Sequence, residues 1–311
     1  AIVAQHYAKR QPLGMPFLAA SRVLLHHPKV RPPEEKGSIE LVPLKRSSGK
    51  WRVGEATKHG SSVFSADGAD STEHHRNTNP VARRHCTSRN IEADYRVTSH
   101  VLGIGQGGGV RVATCRITDR KVAVKSFRKM RSLKHKLDDM RREVEVYLSL
   151  DHPYIARLEC VYESEEDMHI VMECLEGRDL FDRVCERGSY PEAEAASVLR
   201  QVLLAVAYMH GQGVVHRDLK PENIVYERQD SGRIKLIDFG LSRFWDGRSE
   251  MSYKCGSLQY IAPEVLRCSY TGKVDMWSIG VITYAVLTGR PLYTGDSHVV
   301  QQKIRASRAE D

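Results

Sequence analysis

The stretch VVHRDLKPENIVY, residues 214–226, constrains this chain more than any other, because it sets dense charge between apolar ends. Its polar and charged members are His216, Arg217, Asp218, Lys220, Glu222 and Asn223. Charges between buried flanks are costly unless each has a partner. The stretch therefore predicts a site in which these side chains are satisfied by one another and by a bound ligand or ion.

Composition permits a large folded domain and excludes several classes of protein. Of the 311 residues, 41% are hydrophobic and 28% charged, which allows a sizeable core. No stretch approaches the roughly 20 apolar residues of a membrane span, and no clear secretory signal is present. The seven cysteines form no C-x-x-C pair, which argues against a zinc site or a disulfide framework. We expect an intracellular, cytoplasmic protein without a transmembrane segment.

Residues 1–92 differ from the rest of the chain in net charge, in composition and in the absence of a sequence period. They hold 15 Lys and Arg against 8 Asp and Glu, whereas residues 93–311 hold 32 against 31. Their polar, turn-rich sequence shows no sustained period, which predicts a basic, disordered N-terminal extension. Contact with nucleic acid or an anionic membrane is an alternative use of that charge. No nucleic-acid partner is expected, because no folded motif or interleaved aromatic residues support one.

Residues 93–311 predict an α+β domain with two lobes. The segments RVTSHVLGIG, VRVATCRI, KVAVKSF, LECVYES and MHIVMECL predict strands, and LKHKLDDMRREVEVYLSL predicts a helix. We expect a small β-rich lobe with one main helix over about residues 93–175. A larger, mostly helical lobe is expected over about 176–311, where YPEAEAASVLRQVLLAVAYMHGQG has a helical period. KVDMWSIGVITYAVLTG is apolar nearly all round, which predicts a helix buried in the centre of that lobe.

An ordered set of motifs over residues 95–311 resembles the protein-kinase pattern. GIGQGGGV (103–110) and VAVK (122–125) precede HRDLKPEN (216–223), DFG (238–240) and APE (262–264). HRDLKPEN resembles serine/threonine kinases, and CGSLQYIAPEVL resembles the calcium/calmodulin-dependent and calcium-dependent protein kinase group. The resemblance implies a bilobal protein-kinase fold that binds ATP and Mg²⁺ between the lobes and transfers the γ-phosphoryl group to protein hydroxyls.

The resemblance also implies which residues bind the nucleotide. Gly103, Gly105 and Gly108 would let the backbone approach the phosphates without a Cβ in the way. Lys125 would reach the α- and β-phosphates, with Glu143 as its partner in preference to Glu145. The other residues expected around the nucleotide are Ile104, Gly107, Gly109, Val110, Ala123, Met172, Glu173, Leu175 and Asp179. Within this set, Glu173 to Leu175 would supply the backbone donor and acceptor for the purine edge.

The same resemblance assigns chemical roles to the charged residues. Asp218 would accept the proton of the substrate hydroxyl, and Lys220 would stabilise the transferring phosphoryl group. Asn223 and Asp238 would hold Mg²⁺, a hard cation that prefers oxygen ligands. Ser257 would touch Asp218 and Lys220. The carboxylates of Asp179 and Glu222 imply basophilic protein substrates, with R-x-x-S/T preferred.

Regulation is less fully specified by the resemblance. Arg217 implies control by a phosphate in the activation segment, residues 238–264. Tyr253, Ser252 and Ser257 are candidates for modification there, and Asp246 or Glu250 could supply negative charge instead. No EF-hand loop appears, so calcium sensing is not encoded in these residues.

Two departures from the family pattern keep an alternative open. Most relatives carry an aromatic residue at the tip of the glycine loop, where this chain has Gly107, so the loop should be looser. The sequence ends at Asp311, before helices that normally complete the larger lobe, so we expect that lobe to be C-terminally incomplete. The alternative is therefore a catalytically weak or inactive nucleotide-binding scaffold. A small-molecule kinase of the same fold is a further alternative, and APEVL speaks against it.

Overall fold

The computed structural model describes residues 85–86, 90–105, 108–129 and 134–307, and of residues 104–105 and 134–136 the backbone alone. Gly107 and the segment before His85 lie outside the described residues. Among the helices of the described part, none has the length and apolarity that a bilayer crossing needs. All seven cysteines are described and free. The predicted α+β organisation in two lobes is confirmed.

The smaller lobe is a six-stranded sheet in the order β1-β5-β6-β4-β3-β2. The strands are antiparallel except β1, which runs parallel to β5. Their bounds are His85–Cys86 (β1), Tyr95–Gly105 (β2), Gly108–Cys115 (β3), Lys121–Arg128 (β4), Leu158–Glu163 (β5) and Asp167–Glu173 (β6). Within the described residues of this lobe, the helices are Ile91–Asp94 (α1) and Lys134–Ser149 (α2). The predicted strands and main helix are thus confirmed.

Strand β4 decides what faces the cleft between the lobes. Successive side chains of a strand point to opposite faces of the sheet. Val122 and Val124 lie in the outer apolar cluster, together with Ile91 of α1. Phe127 lies in the main core with residues of α2. Lys125 is two residues from Phe127, so it is on the inner face, where both lobes meet.

Folded structure begins before the boundary predicted at residue 93. The pair His85–Cys86 adds a strand to the edge of β5, and His85 Nε2 lies 3.0 Å from Glu163 Oε2. The side chain of Asn90 caps α1 by accepting from Glu92 N at 3.1 Å. Ile91 is 5% exposed. The prediction that residues up to 92 are disordered is therefore wrong for these described residues, because they cover an edge and a face of the sheet.

The larger lobe is mostly helical and carries two short β-ribbons. The helices are Leu180–Arg187 (α3), Glu192–Gly211 (α4), Pro263–Leu266 (α5), Val274–Thr288 (α6) and Ser297–Ala306 (α7). The short strands are Val214–Val215 (β7), Ile224–Tyr226 (β8), Ile234–Leu236 (β9) and Arg243–Phe244 (β10). β7 pairs with β10, and β8 pairs with β9. The charged stretch of residues 214–226 thus connects two ribbons on the cleft side.

Helix α6 forms as predicted but is not buried all round. Ile279, Ile282 and their neighbours on one side lie in the core, against α4. Met276, Tyr284 and Leu287 are between 40% and 47% exposed. The elements that the structure describes cover only one side of the helix, so the prediction of complete burial is wrong for this apolar stripe.

Candidate active site

The first charged cluster joins three residues that are far apart in the chain. Lys125 on β4 donates from Nζ to Glu143 Oε1 of α2 at 2.6 Å, and to Asp238 Oδ1 at 3.0 Å. The side chains of Lys125 and Glu143 are only 5% and 7% exposed. Glu145, the rejected partner, is exposed. The cluster is therefore a buried cation held between two carboxylates.

Electrostatics favour the ionised forms of Lys125 and Asp238. Burial on its own lowers the pKa of Lys125, but the charges of Glu143 and Asp238 outweigh it and the pKa is raised. Burial raises the pKa of Asp238, but Lys125 outweighs that effect by charge and hydrogen bonding, and the pKa is lowered. The pKa of Glu143 is raised by burial and by Asp238, against the pull of Lys125. Asp238 is thus the carboxylate that stays available for a cation.

Phe239 and Tyr147 fix the position of the neighbouring acidic residues. Asp238 adopts a positive φ of 60°, which costs about 1 kcal/mol for a residue with a side chain. Phe239 is 1% exposed, and its ring centroid lies 4.8 Å from that of Tyr147. The Tyr147 hydroxyl donates to Ala156 O at 2.8 Å, which anchors α2. Burial of Phe239 therefore turns Asp238 toward the cleft, and Tyr147 holds the helix that carries Glu143.

The second charged cluster surrounds Asp218. Lys220 Nζ donates to Asp218 Oδ2 at 2.7 Å, and the backbone N–H and hydroxyl of Ser257 both donate to Asp218 Oδ1 at 2.8 Å. Lys220 Nζ also donates to Ser257 Oγ at 3.0 Å, so the predicted contacts of Ser257 are confirmed. Asn223 Nδ2 donates to Asp218 O at 2.9 Å. The Asp218 carboxylate is therefore fixed in orientation at the cleft.

Asp275, which the sequence analysis missed, holds the backbone of this loop. Its carboxylate is 1% exposed and accepts from His216 N and Arg217 N, both at 2.9 Å. His210 Nε2 lies 2.8 Å from the same group. Arg217 has a positive φ of 66°. An acidic residue inside the otherwise apolar helix α6 was a signal that could have identified Asp275.

The guanidinium group of Arg217 donates to two uncharged groups. Its Nε donates to Leu241 O at 2.8 Å, and one terminal nitrogen donates to the Tyr270 hydroxyl at 3.1 Å. The Tyr270 hydroxyl in turn donates to Tyr253 O at 2.5 Å. Arg217 is thereby linked to the activation segment through a tyrosine hydroxyl.

The acidic residues considered for a contact with Arg217 lie elsewhere. Asp246 closes its own turn, accepting from Ser249 N at 2.7 Å. Glu250 accepts from the Ser269 hydroxyl. The interpretation that either carboxylate supplies negative charge to Arg217 is therefore not supported within the described part of the chain.

The residues expected around the purine lie along β4, β6 and the hinge, residues 173–177. Ala123 pairs with Met172 in the sheet, so the two residues are neighbours. The N–H of Glu173 donates to Arg157 O at 2.9 Å. It is therefore not the donor for a purine, which leaves the N–H groups of Cys174 and Leu175 among residues 173–175. Leu175 lines a cavity of about 550 Å³ together with Leu102, which the sequence analysis did not single out.

The glycine loop is described on both sides of its tip. Gly103 pairs with Val110, the backbone of Ile104 with Gly109, and Gly105 with Gly108, which makes a β-hairpin. Gly108 has a φ of 149°, and a Cβ there would lie 2.5 Å from Ser126 O. This position therefore requires glycine.

Two carboxylates of the larger lobe, those of Asp179 and Glu222, lie close enough to influence each other electrostatically. Asp179 caps α3 by accepting from Asp182 N at 2.7 Å. One carboxylate oxygen of Glu222, Oε2, is buried and has no hydrogen-bond partner among the described residues. Burial raises the pKa of Glu222, and the charges of Asp179 and Asp218 add to this effect while Lys220 opposes it. A cation that reached Glu222 would relieve an unfavourable electrostatic position.

Comparison with known proteins agrees with this geometry. The sequence profile of the protein kinase domain matches residues 96–310. A probable myosin light chain kinase of Dictyostelium discoideum is 42% identical over 214 residues, which cover 67% of this chain and 68% of that protein. Calcium/calmodulin-dependent protein kinase type 1 of Macrobrachium nipponense is 45% identical over 201 residues, 64% of this chain and 58% of its own.

A plant relative extends the same group. Calcium-dependent protein kinase 12 of Arabidopsis thaliana is 39% identical over 227 residues, which cover 72% of this chain and 46% of that protein. The chain thus spans about half to two thirds of the length of these relatives. From the matched domain and these relatives, the chain belongs to the protein kinase domain family, among the serine/threonine kinases that resemble the calcium/calmodulin-dependent and calcium-dependent group.

Proposed function

We propose that this domain transfers the γ-phosphoryl group of ATP, with Mg²⁺, to serine or threonine hydroxyls of proteins that carry a basic residue upstream of the acceptor. The observation that carries the proposal is the presence of two charged clusters that lie close enough for Lys220 to help lower the pKa of Asp238. Lys125, Glu143 and Asp238 form the first, and Asp218 with Lys220 leads the second. Catalysis of phosphoryl transfer is mainly positioning and charge neutralisation, which such an arrangement can provide.

The oxygen atoms of Asn223 and Asp238 fit a magnesium ion. Asn223 uses its Nδ2 on Asp218 O, so its Oδ1 remains for a cation. Asp238 Oδ1 accepts hydrogen bonds from Lys125 Nζ and from Gly240 N. Mg²⁺ is commonly bound by one or two such side chains together with substrate phosphates, whose charge it neutralises. Asn223 and Asp238 would hold the ion, and Lys125 would bind the α- and β-phosphates.

Asp218 and Lys220 would act on the substrate hydroxyl. The Asp218 carboxylate would orient the hydroxyl and accept its proton, because Ser257 and Lys220 fix the direction of its oxygens. Lys220 would neutralise charge on the phosphoryl group during transfer. Loss of a positioned acid or base of this kind typically costs 10²–10⁴-fold in rate.

The carboxylate of Glu222 supports the preference for basic substrates. Its Oε2 is buried without a partner among the described residues, and Asp179 and Asp218 add negative charge nearby. A guanidinium group from a substrate arginine would satisfy this oxygen and pair with the surrounding charge, since charge-assisted bonds to arginine are strong.

A peptide phosphorylation assay tests the proposal. Wild type should phosphorylate a peptide with arginine three positions before the serine, and Asp238→Ala should not. Equal inertness of the two proteins, with ATP still raising the Tm, would instead establish the nucleotide-binding scaffold. Replacing the arginine by alanine should lower kcat/KM about tenfold or more in wild type, with a smaller effect in Glu222→Gln. Equal turnover of the two peptides by wild type would refute the basic preference.

A further inference from the structure

Lys235 is a buried cation for which the proposed chemistry has no use. It lies on β9, is 8% exposed and stands three residues before Asp238. Its Nζ donates to Glu173 Oε1 at 2.5 Å, and the two side chains are 10% and 21% exposed. A buried ion pair is costly to desolvate and is weak evidence for stability alone. The pair therefore calls for another role.

Glu173 is fixed from both sides at the point where the chain leaves the smaller lobe. It is the last residue of β6 and the first of the hinge. The oxygen that binds Lys235 also accepts from Arg157 N at 2.5 Å, and Glu173 N donates to Arg157 O at 2.9 Å. The side chain and backbone of Glu173 therefore move together with Arg157.

The segment that holds Glu173 also holds β9. Leu236 N donates to Tyr154 O, and Ala156 N donates to Leu236 O, both at 2.9 Å. Residues 154–157 therefore contact the hinge at one end and the strand that leads to Asp238 at the other. In the same ribbon, Leu236 pairs with Ile224, which follows Asn223. A displacement of β9 would therefore shift both residues proposed to hold Mg²⁺.

We propose that Lys235 is a positioning residue which, through Glu173, couples nucleotide binding at the hinge to the placement of Asp238 and Asn223. The inference rests on the proposed function, because it needs a nucleotide at the hinge and a metal at Asp238. A nucleotide that fixes the backbone of the hinge also fixes the position of Glu173. The ion pair between Glu173 and Lys235 passes this restraint to β9. Such coupling is reciprocal, so Mg²⁺ must also strengthen nucleotide binding through the same pair.

Calorimetric titration of ADP with and without Mg²⁺ tests this coupling without any turnover. In wild type, Mg²⁺ should strengthen ADP binding by a measurable factor. In Lys235→Met, which keeps an unbranched side chain one atom shorter and removes its charge, that factor should fall about fivefold, the lower end of typical couplings between sites. ADP binding without Mg²⁺ should change less. Lys235→Arg should recover part of the factor, because it restores the charge.

Lys129→Met is the matched control. Lys129 Nζ donates to Glu163 Oε1 at 2.5 Å, and the two side chains are 12% and 20% exposed, so the pair matches Lys235–Glu173 in burial. Lys129 follows the end of β4 that pairs with the start of β6, so this pair lies at the opposite end of the sheet from Glu173. The Mg²⁺ factor should be the same in this variant as in wild type.

The outcomes separate this inference from the function on which it rests. If Lys235→Met weakens ADP binding equally with and without Mg²⁺, or leaves it unchanged, Lys235 has no positioning role. If wild type binds no ADP in either condition, the proposed function fails and the inference fails with it. If Lys235→Met does not fold, Glu173→Gln is measured in its place with the same two readings. It keeps the oxygen that accepts from Arg157 and removes the charge.

Discussion

The two charged clusters at the cleft are assembled in opposite ways. The Lys125 cluster takes one member each from β4, α2 and the segment after β9. The Asp218 cluster takes three members from residues 218–223, and Ser257 alone comes from the activation segment. The first therefore depends on how α2 and the lobes pack, whereas the second depends on a local backbone that Asp275 holds. A change can thus damage one cluster and spare the other.

The largest effect is expected from Asp218→Asn, which breaks the second cluster alone. The amide cannot accept the proton, so kcat should fall about 10³-fold. The Kd for ADP should stay within twofold of the wild-type value, a change of about 0.4 kcal/mol in binding free energy, because the Lys125 cluster is unchanged. Steady-state kinetics and calorimetry measure the two quantities. Parallel loss of both would show that the clusters are not independent.

Lys125→Met should have the largest effect on stability, because it breaks the first cluster. Two carboxylates would lose their shared cation, and removing one partner of a buried pair costs about 3 kcal/mol or more. Urea denaturation measures this loss. Adding Glu143→Gln should recover part of it, because one unpaired charge is removed.

Arg142→Met is the control for that measurement. Arg142 pairs with Asp139 on the same helix at 2.9 Å, but both side chains are more than half exposed. The free energy of unfolding should change by about 0.5 kcal/mol or less. A loss as large as that of Lys125→Met would mean that burial does not explain the difference.

Asp275→Asn tests whether Asp275 fixes the backbone that carries the second cluster. The amide keeps one acceptor oxygen, so one of the N–H groups of His216 and Arg217 loses its partner. The free energy of unfolding should fall by about 2 kcal/mol. At a temperature where the variant is folded, kcat should fall while ADP affinity holds. Unchanged kcat would show that the loop keeps its shape without Asp275.

Tyr147→Phe has the smallest expected effect. It tests whether the anchoring of α2 by the Tyr147 hydroxyl positions Glu143 in the first cluster. It keeps the ring against Phe239 and removes the hydroxyl that donates to Ala156 O. A net loss of about 1 kcal/mol in unfolding free energy is expected. KM for ATP should rise more than kcat falls, since α2 carries Glu143 and not the Asp218 cluster. The reverse pattern would place the effect of Tyr147 elsewhere.

Local pattern was sufficient for much of the fold, and the family resemblance supplied part of the site. The period of α4 and the alternation of the strands were readable in sequence, because each is a property of a few adjacent residues. The choice of Glu143 over Glu145 rested on a spacing typical of the resembled family, and in the structure Lys125 donates to Glu143. The contact of Ser257 with Asp218 was also predicted and is present.

Features that depend on which distant segments meet were not predictable. The pair His85–Cys86 has no periodic signal, and only the edge of β5 makes it a strand. The exposed stripe of α6 depends on what packs over the helix, which its own apolar sequence does not report. The Lys235–Glu173 pair joins residues 62 positions apart, and neither residue stands out in its own segment. The hydrogen bond from Glu173 N to Arg157 O was not predictable either, because the two residues lie in different segments of the chain.

The short strand β1 decides where a fragment for crystallisation should begin. Without His85 and Cys86, the outer N–H and C=O groups of β5 would face solvent, and such an edge is a template for a strand from another molecule. A fragment cut at residue 93 is therefore expected to self-associate, and one that starts upstream of His85 keeps this edge covered by its own chain.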